Sequence, residues 1–218
     1  MNIQKVKAAI FDLDGTLLDT MADIGTSANT ALCRCGFSPY PIESYRARIG
    51  HGIRTLLAGC LPEGTDPAIV DQVVRIHREF YPEHCTVHTD YYPGVREFLD
   101  QLTRRGIRLA IISNKTESIA RKIVEHYFGS YDWAFVWGND GQRPLKPALE
   151  AGHLACQTLN LQPEEILYVG DGDTDMEFGS SMGFHTVGVT WGYRDPDQLL
   201  TAGAHKLVDS FAELEQLF

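Results

Sequence analysis

Short apolar runs recur along the chain, and each gives way to small or polar residues. Ala8-Ala9-Ile10-Phe11 precedes Asp12-Leu13-Asp14-Gly15-Thr16, Leu109-Ala110-Ile111-Ile112 precedes Ser113-Asn114, and Ala134-Phe135-Val136-Trp137 precedes Gly138. Ile166-Leu167-Tyr168-Val169 precedes Gly170-Asp171, and Thr186-Val187-Gly188-Val189 is a fifth run. Continuous rather than alternating apolar residues over so short a stretch predict strands covered on both faces. Between the runs the period changes. Val95, Phe98, Leu99 and Leu102 recur at helical spacing from Gly94 to Arg105, with Gly106 as the stop, and Ile119, Ile123 and Tyr127 line up along Glu117 to Tyr127. Strand and helix in alternation predict an α/β fold with an open parallel sheet, whose ligands bind beyond the carboxyl ends of its strands.

From Thr16 to Asp90 no comparable run occurs, and the pattern is helical. Ile24, Ala28, Ala31, Leu32 and Cys35 share one face that ends at Gly36. Asp66-Pro67 supplies a cap and a first-turn proline for a helix with Ile69, Val73, Ile76 and Phe80 on one side, stopped at Tyr81-Pro82. A helical insertion placed directly after the first acidic loop is suited to act as a lid. Ser210-Phe211-Ala212-Glu213 reads as a capping box for a last short helix.

Composition narrows the function classes. The 218 residues carry 19 Lys+Arg against 29 Asp+Glu, a net charge of −10, which argues against a nucleic-acid surface or an anionic membrane as partner. No stretch approaches the roughly 18 apolar residues of a membrane span, and the run after Lys5 and Lys7 is too short for a signal-peptide core, so a cytoplasmic location is expected. Five scattered cysteines fit reduced thiols. Cys33-Arg34-Cys35 and His84-Cys85 through His88 lack a second pair at zinc-site spacing, and buried helical cysteines are the preferred reading.

The strand ends hold the candidate chemistry. Asp12 and Asp14 are two apart, so in an extended chain their carboxylates point to the same side. Two like charges in one pocket need an offsetting cation or proton, and the pair predicts either a metal or an acid/base couple. Ser113 and Asn114 lie at the mouth of a second strand, Lys146-Pro147 places a cation at the start of a helix, and Asp171, Asp173 and Asp175 follow a later strand. Oxygen ligands of this kind suit a hard cation such as Mg²⁺, which keeps waters and binds substrate phosphate.

Phe11-Asp12-Leu13-Asp14-Gly15-Thr16-Leu17-Leu18-Asp19-Thr20, then Ser113-Asn114-Lys115, Lys146-Pro147 and Gly170-Asp171 with Asp175, resemble the four ordered motifs of the haloacid dehalogenase-like hydrolase superfamily. Pro93-Gly94-Val95-Arg96-Glu97-Phe98-Leu99 resembles its phosphoglycolate phosphatase-like branch. The resemblance implies a Rossmann-like catalytic core, residues 1–15 and 91–218, interrupted by an all-helical cap domain, residues 16–90. It implies a phosphatase acting on a small phosphorylated metabolite, with Asp12 as nucleophile and Asp14 as acid and base. Asp12, the backbone of Asp14, and Asp171 would hold Mg²⁺, with Asp175 as a further ligand or an orienting carboxylate. Ser113, Asn114 and Lys146 would grip the phosphoryl group, and Arg46, His51 and Arg54 of the cap would meet the rest of the substrate. The second motif carboxylate, Asp14, favours phosphate over halide chemistry.

Two positions depart from the pattern: Ala148-Leu149 stands where many relatives have a second proline, and Gly172-Asp173 where a serine is common. Neither replaces a catalytic side chain. The competing readings are a phosphomutase of the β-phosphoglucomutase type, disfavoured because Met21-Ala22-Asp23-Ile24 contains no histidine, a pyrophosphatase, and a non-catalytic binding member of the fold. A monomer or a homodimer is expected.

Overall fold

Apolar residues on consecutive positions build the centre of the molecule. β1 (Ala8–Phe11) is fully buried, and its pleat sends Ala9 and Phe11 into one hydrophobic cluster and Ala8 and Ile10 into another on the opposite face. A computed structural model describes residue 3 and residues 5–218; residues 1, 2 and 4 of the expected core segment lie outside the described residues.

After β1 come β2 (Leu18–Asp19), α1 (Met21–Arg34), α2 (Ile53–Ala58) and α3 (Pro67–Phe80). Then follow β3 (Asp90–Tyr91), α4 (Val95–Arg104), β4 (Arg108–Thr116), α5 (Glu117–Phe128) and β5 (Trp133–Asn139). The chain closes through α6 (Glu150–Leu159), β6 (Ile166–Gly170), α7 (Asp173–Ser181), β7 (His185–Val189), α8 (Pro196–Thr201), β8 (Lys206–Val208) and α9 (Phe211–Glu215). Six strands form one parallel sheet in the order β5-β4-β1-β6-β7-β8. The chain moves outward from β1 through β4 and β5, then returns to β6 on the other side of β1. That reversal leaves a crevice at the carboxyl ends of β1, β4 and β6. Helices cover both faces, with Phe98 of α4 set edge-on to Phe11, ring centroids 6.3 Å apart, and Phe178 of α7 set against Tyr168 at 5.1 Å.

The insertion leaves and rejoins the core through a two-stranded antiparallel ribbon, β2 with β3. Buried Asp23 of α1 closes it by accepting the backbone N–H groups of Val87, His88 and Thr89 and the Thr89 hydroxyl. Asp66 caps α3 as expected, accepting from Ala68 N at 2.8 Å. The buried stripe of α3 differs from the expected one: Val70, Val73, Val74 and His77 face inward, while Ile69 is 38 % exposed. The helix is turned by about one residue, because the neighbouring α1 and α2 cover that side. Among the cysteines, all free, Cys60 and Cys85 are buried and Cys33 is exposed on the last turn of α1. Among the described residues no helix is long and apolar enough to cross a membrane.

Two arginines tie the insertion to the core reciprocally. Arg46 donates to the carbonyls of Gly192 and Tyr193, and Arg194 donates to the carbonyls of Arg46 at 2.9 Å and Ile49 at 2.7 Å.

Candidate active site

Asp12 continues β1, its N–H donating to Val169 O at 2.9 Å, and Asp171 follows β6 directly. Asp12, Asp171 and Asp175 each bring a carboxylate oxygen within 4.8 Å of the others, and all three are buried. The loop backbones make this convergence possible. A Cβ on Gly15, at φ +84°, or on Gly192 would fall 2.3 or 2.2 Å from the Asp171 side chain, so both positions require glycine. Asp171 is anchored on both oxygens, by the Thr16 hydroxyl at 2.8 Å and by Tyr193 N at 2.8 Å.

Lys146 is the buried cation of the cluster. It lies in the loop ahead of α6 rather than at a helix start, and Asn114 fixes its backbone by accepting Lys146 N at 2.8 Å and donating to Lys146 O at 3.0 Å. The ammonium donates to Asp175 Oδ1 at 2.6 Å, Ile112 O at 2.8 Å and the Tyr168 hydroxyl at 2.9 Å. It stands 3.2 Å from Asp12 Oδ1, which has no hydrogen-bond partner. Asp175 also accepts from Tyr168 and, through Oδ2, from Gly172 N.

Electrostatics follow from this crowding. Burial pushes the Asp12 carboxyl up to about 7, with Lys146 opposing and Asp175 and Asp14 adding to the rise. Asp171 is pushed up to about 8 by burial and then by Asp175 and Asp12. Burial alone would lower the Lys146 ammonium, but the facing carboxylates outweigh it and hold it above the usual lysine range. One buried ammonium does not offset three buried carboxylates. The three converging carboxylates, with Asp12 Oδ1 free of hydrogen bonds, fit a hard divalent cation.

The side chain of Asp14 lies outside this acidic group. It accepts the Thr20 hydroxyl at 2.7 Å and Lys115 Nζ at 2.8 and 3.0 Å, and Lys115 also donates to the Tyr81 hydroxyl at 2.8 Å. Lys115 was visible in the Ser113-Asn114-Lys115 string but carries no motif signal for this role; only the fold brings it to Asp14 across 101 positions.

A cavity of about 60 Å³, open to solvent on one side, is lined by Asp12, Asp14, Ser113, Asn114 and Lys115 on the sheet side. Ile49, Ile53, Leu56, His77 and Tyr81 of the insertion line the other side. Arg46, His51 and Arg54 do not line it: Arg46 is engaged with Gly192 and Tyr193, Arg54 pairs with Asp71 at the surface, and His51 lies 3.5 Å from Asp173. Sequence spacing could not reveal this, because the carbonyls that capture Arg46 come from a loop nearly 150 positions away.

Residues 9–189 match a family model described as haloacid dehalogenase-like hydrolase. The chain is 33 % identical to a phosphoglycolate phosphatase of Chromobacterium violaceum, over 100 % of this chain and 98 % of that protein. It is 30 % identical to an N-acetylmuramic acid 6-phosphate phosphatase of Pseudomonas aeruginosa, over 98 % of this chain and 95 % of that protein. A solved structure from Lactobacillus delbrueckii subsp. bulgaricus superposes with a TM-score of 0.89 at 28 % identity, covering 98 % of each chain.

Proposed function

Since the chain belongs to the haloacid dehalogenase-like hydrolase family, we propose that it is a Mg²⁺-dependent phosphatase hydrolysing a small-molecule phosphate monoester through an aspartyl-phosphate on Asp12. The names of its relatives raise phosphoglycolate and sugar phosphates as candidates. The observation that carries the reading is the buried Asp12 Oδ1 on a cavity-lining residue, free of hydrogen bonds and paired with the Lys146 ammonium at 3.2 Å beside two further carboxylates.

In the proposed chemistry an Asp12 carboxylate oxygen forms a bond to phosphorus as the ester oxygen departs. For this step Asp14 has to leave the Lys115 ammonium, from which both its oxygens accept here, and take up a proton. It donates that proton to the ester oxygen and then, as carboxylate, takes one from the water that attacks the aspartyl-phosphate, releasing orthophosphate. Lys146 supplies positive charge beside Asp12, and Asp175, bonded to it at 2.6 Å, orients that ammonium. Ser113, buried within β4 and lining the cavity with Asp12, would bind the phosphoryl oxygens. Asp12, Asp171 and the Asp14 carbonyl would hold Mg²⁺, whose charge would offset that of the transferring group. Residues 16–90 act as the cap over a core of 1–15 and 91–218, with the Arg46–Arg194 contacts holding it down.

Phosphate release from a panel of small monoesters tests the reading. With Mg²⁺, at least one ester is turned over about tenfold or more faster, as kcat/KM, than pyrophosphate. Preference for pyrophosphate, or no release at all, contradicts it.

The acidic cluster also sets a pH dependence. Asp12 and Asp171 bind protons more readily folded than unfolded, so the stability they contribute in Mg²⁺-free protein is complete below 3.8 and lost as pH rises through about 7 and about 8. His77 acts in the opposite sense: burial pushes it down to about 3, so its contribution is complete above its ordinary 6.5 and lost as pH falls. Between about pH 6.5 and about pH 8.5 the carboxylates therefore dominate. Thermal melts should show the Mg²⁺-free protein losing stability across that window, with added Mg²⁺ raising the melting temperature most at the upper end. A melting temperature that climbs with pH in the absence of Mg²⁺ contradicts the cluster's assignment.

A further inference from the structure

Asp171 takes its position from the chain that follows β7 as well as from its own loop. Tyr193 N donates to Asp171 Oδ2 at 2.8 Å. Asp171 Oδ1 accepts the Thr16 hydroxyl at 2.8 Å, and the Trp191 indole holds Thr16 in turn by donating to its carbonyl at 3.1 Å. Both oxygens of this carboxylate therefore depend on residues 191–193. Gly192 packs so closely on Asp171 that a Cβ there would fall 2.2 Å from it.

The insertion grips the same segment. Arg46 donates to the carbonyls of Gly192 and Tyr193, so the peptide group between these two residues accepts from Arg46 at its oxygen and donates to Asp171 at its nitrogen. A planar peptide cannot turn at one end without turning at the other. Arg194, 6 % exposed, reaches back to the carbonyls of Arg46 at 2.9 Å and Ile49 at 2.7 Å, with its Nε 3.2 Å from the Asp173 carboxylate. A rigid guanidinium fork spans these acceptors, which a lysine ammonium on a flexible stem would not. Ile49 is part of the cavity wall. The clasp thus has the metal carboxylate at one end and the cap side of the cavity at the other.

We propose that Arg46 and Arg194 are positioning residues for the metal site: acting through the Gly192–Tyr193 peptide, they hold Asp171 in the orientation that binds Mg²⁺, so that metal binding and engagement of the cap turn 46–49 reinforce each other. This rests on the Mg²⁺ reading of the acidic cluster.

Calorimetric Mg²⁺ titrations of the full-length protein test it, with Arg194→Met, Arg194→Lys and Arg46→Met beside the wild type, each checked for folding by circular dichroism. All three variants raise the Mg²⁺ dissociation constant by about tenfold. The sign separates the explanations. Loss of a cation beside Asp173 would by charge alone tighten Mg²⁺ binding, and a merely structural clasp would lower the melting temperature and leave the constant unchanged. Arg46→Met combined with Arg194→Met raises the constant little beyond either single change, because both act on one segment. Hydrogen exchange reads the reverse direction. In the wild type Mg²⁺ slows the amides of Arg48 and Ile49, which donate to Tyr45 O, at least about fivefold more than those of Ile69 and Val70 at the start of α3, and in Arg194→Met that difference disappears. Affinity unchanged or tighter in the arginine variants, or equal slowing of the two sets of amides in the wild type, overturns the inference and leaves the Mg²⁺ reading in place. Should Arg194→Met not fold, Arg46→Met, at an exposed position, decides the matter. A wild type that binds no Mg²⁺ removes the metal reading and the inference with it.

Discussion

Asp12→Asn abolishes turnover, lowering kcat by about 10⁴-fold or more, while the protein remains folded. An amide oxygen is too weak a nucleophile to open an ester at phosphorus, and no other carboxylate can take its place: Asp171 is held by Thr16 and Tyr193, Asp175 by Lys146, Tyr168 and Gly172. The magnitude follows that seen when the nucleophile of a covalent mechanism is removed. Stability should move the other way or hardly at all in Mg²⁺-free protein. Burial and the neighbouring Asp175 and Asp14 already disfavour the charged form of Asp12, so the neutral isostere relieves that repulsion. Phosphate release and thermal melts on the same preparation check both halves. A variant with substantial activity, or one inactive only because it is unfolded, contradicts the assignment.

Lys146→Met carries the second large effect, and here activity and stability fall together. Lys146 is the only cation within the buried acidic group of the described residues, bonded to Asp175 at 2.6 Å and 3.2 Å from Asp12. Methionine fills much of its volume but leaves two facing carboxylates uncompensated, a change that costs about 3–5 kcal/mol when one partner of a buried ion pair is deleted. Loss of the charge beside the transferring group lowers kcat by about 10³-fold. Adding Asp175→Asn removes one of the stranded charges, so the double variant regains part of the lost stability without regaining activity. Denaturant melts of the single and double variants separate these terms. A double variant no more stable than Lys146→Met would mean that the two side chains are not coupled.

Much of the core was legible because its signals are local. Four consecutive apolar residues at Ala8–Phe11 leave no polar face and force a doubly covered strand, as found, and the acidic residues after β1 and β6 meet because parallel strands end on one side, whereas Ser113 and Asn114 lie inside β4, which runs on to Thr116. Asp66, Pro67 and Ser210 likewise marked helix starts that the structure has. The ribbon of β2 and β3 was invisible, since two residues on each side carry no periodicity. The inward face of α3 was misjudged by about one residue, because several apolar residues close together define a stripe only when the neighbouring helices are known. Long-range polar contacts escaped for a similar reason. Nothing near Arg46 in the sequence announces that Gly192 and Tyr193 will accept its hydrogen bonds, and nothing near His77 indicates that its Nε2 will be buried without a partner.

In the proposed chemistry phosphate passes through Asp12. Enzyme turning over a monoester with Mg²⁺, quenched in acid and mapped by peptide mass spectrometry, tests it most directly. A phosphorylated peptide containing Asp12 is expected, formed during turnover and absent from Asp12→Asn. Phosphate on another residue, or active enzyme that never carries phosphate, would contradict it.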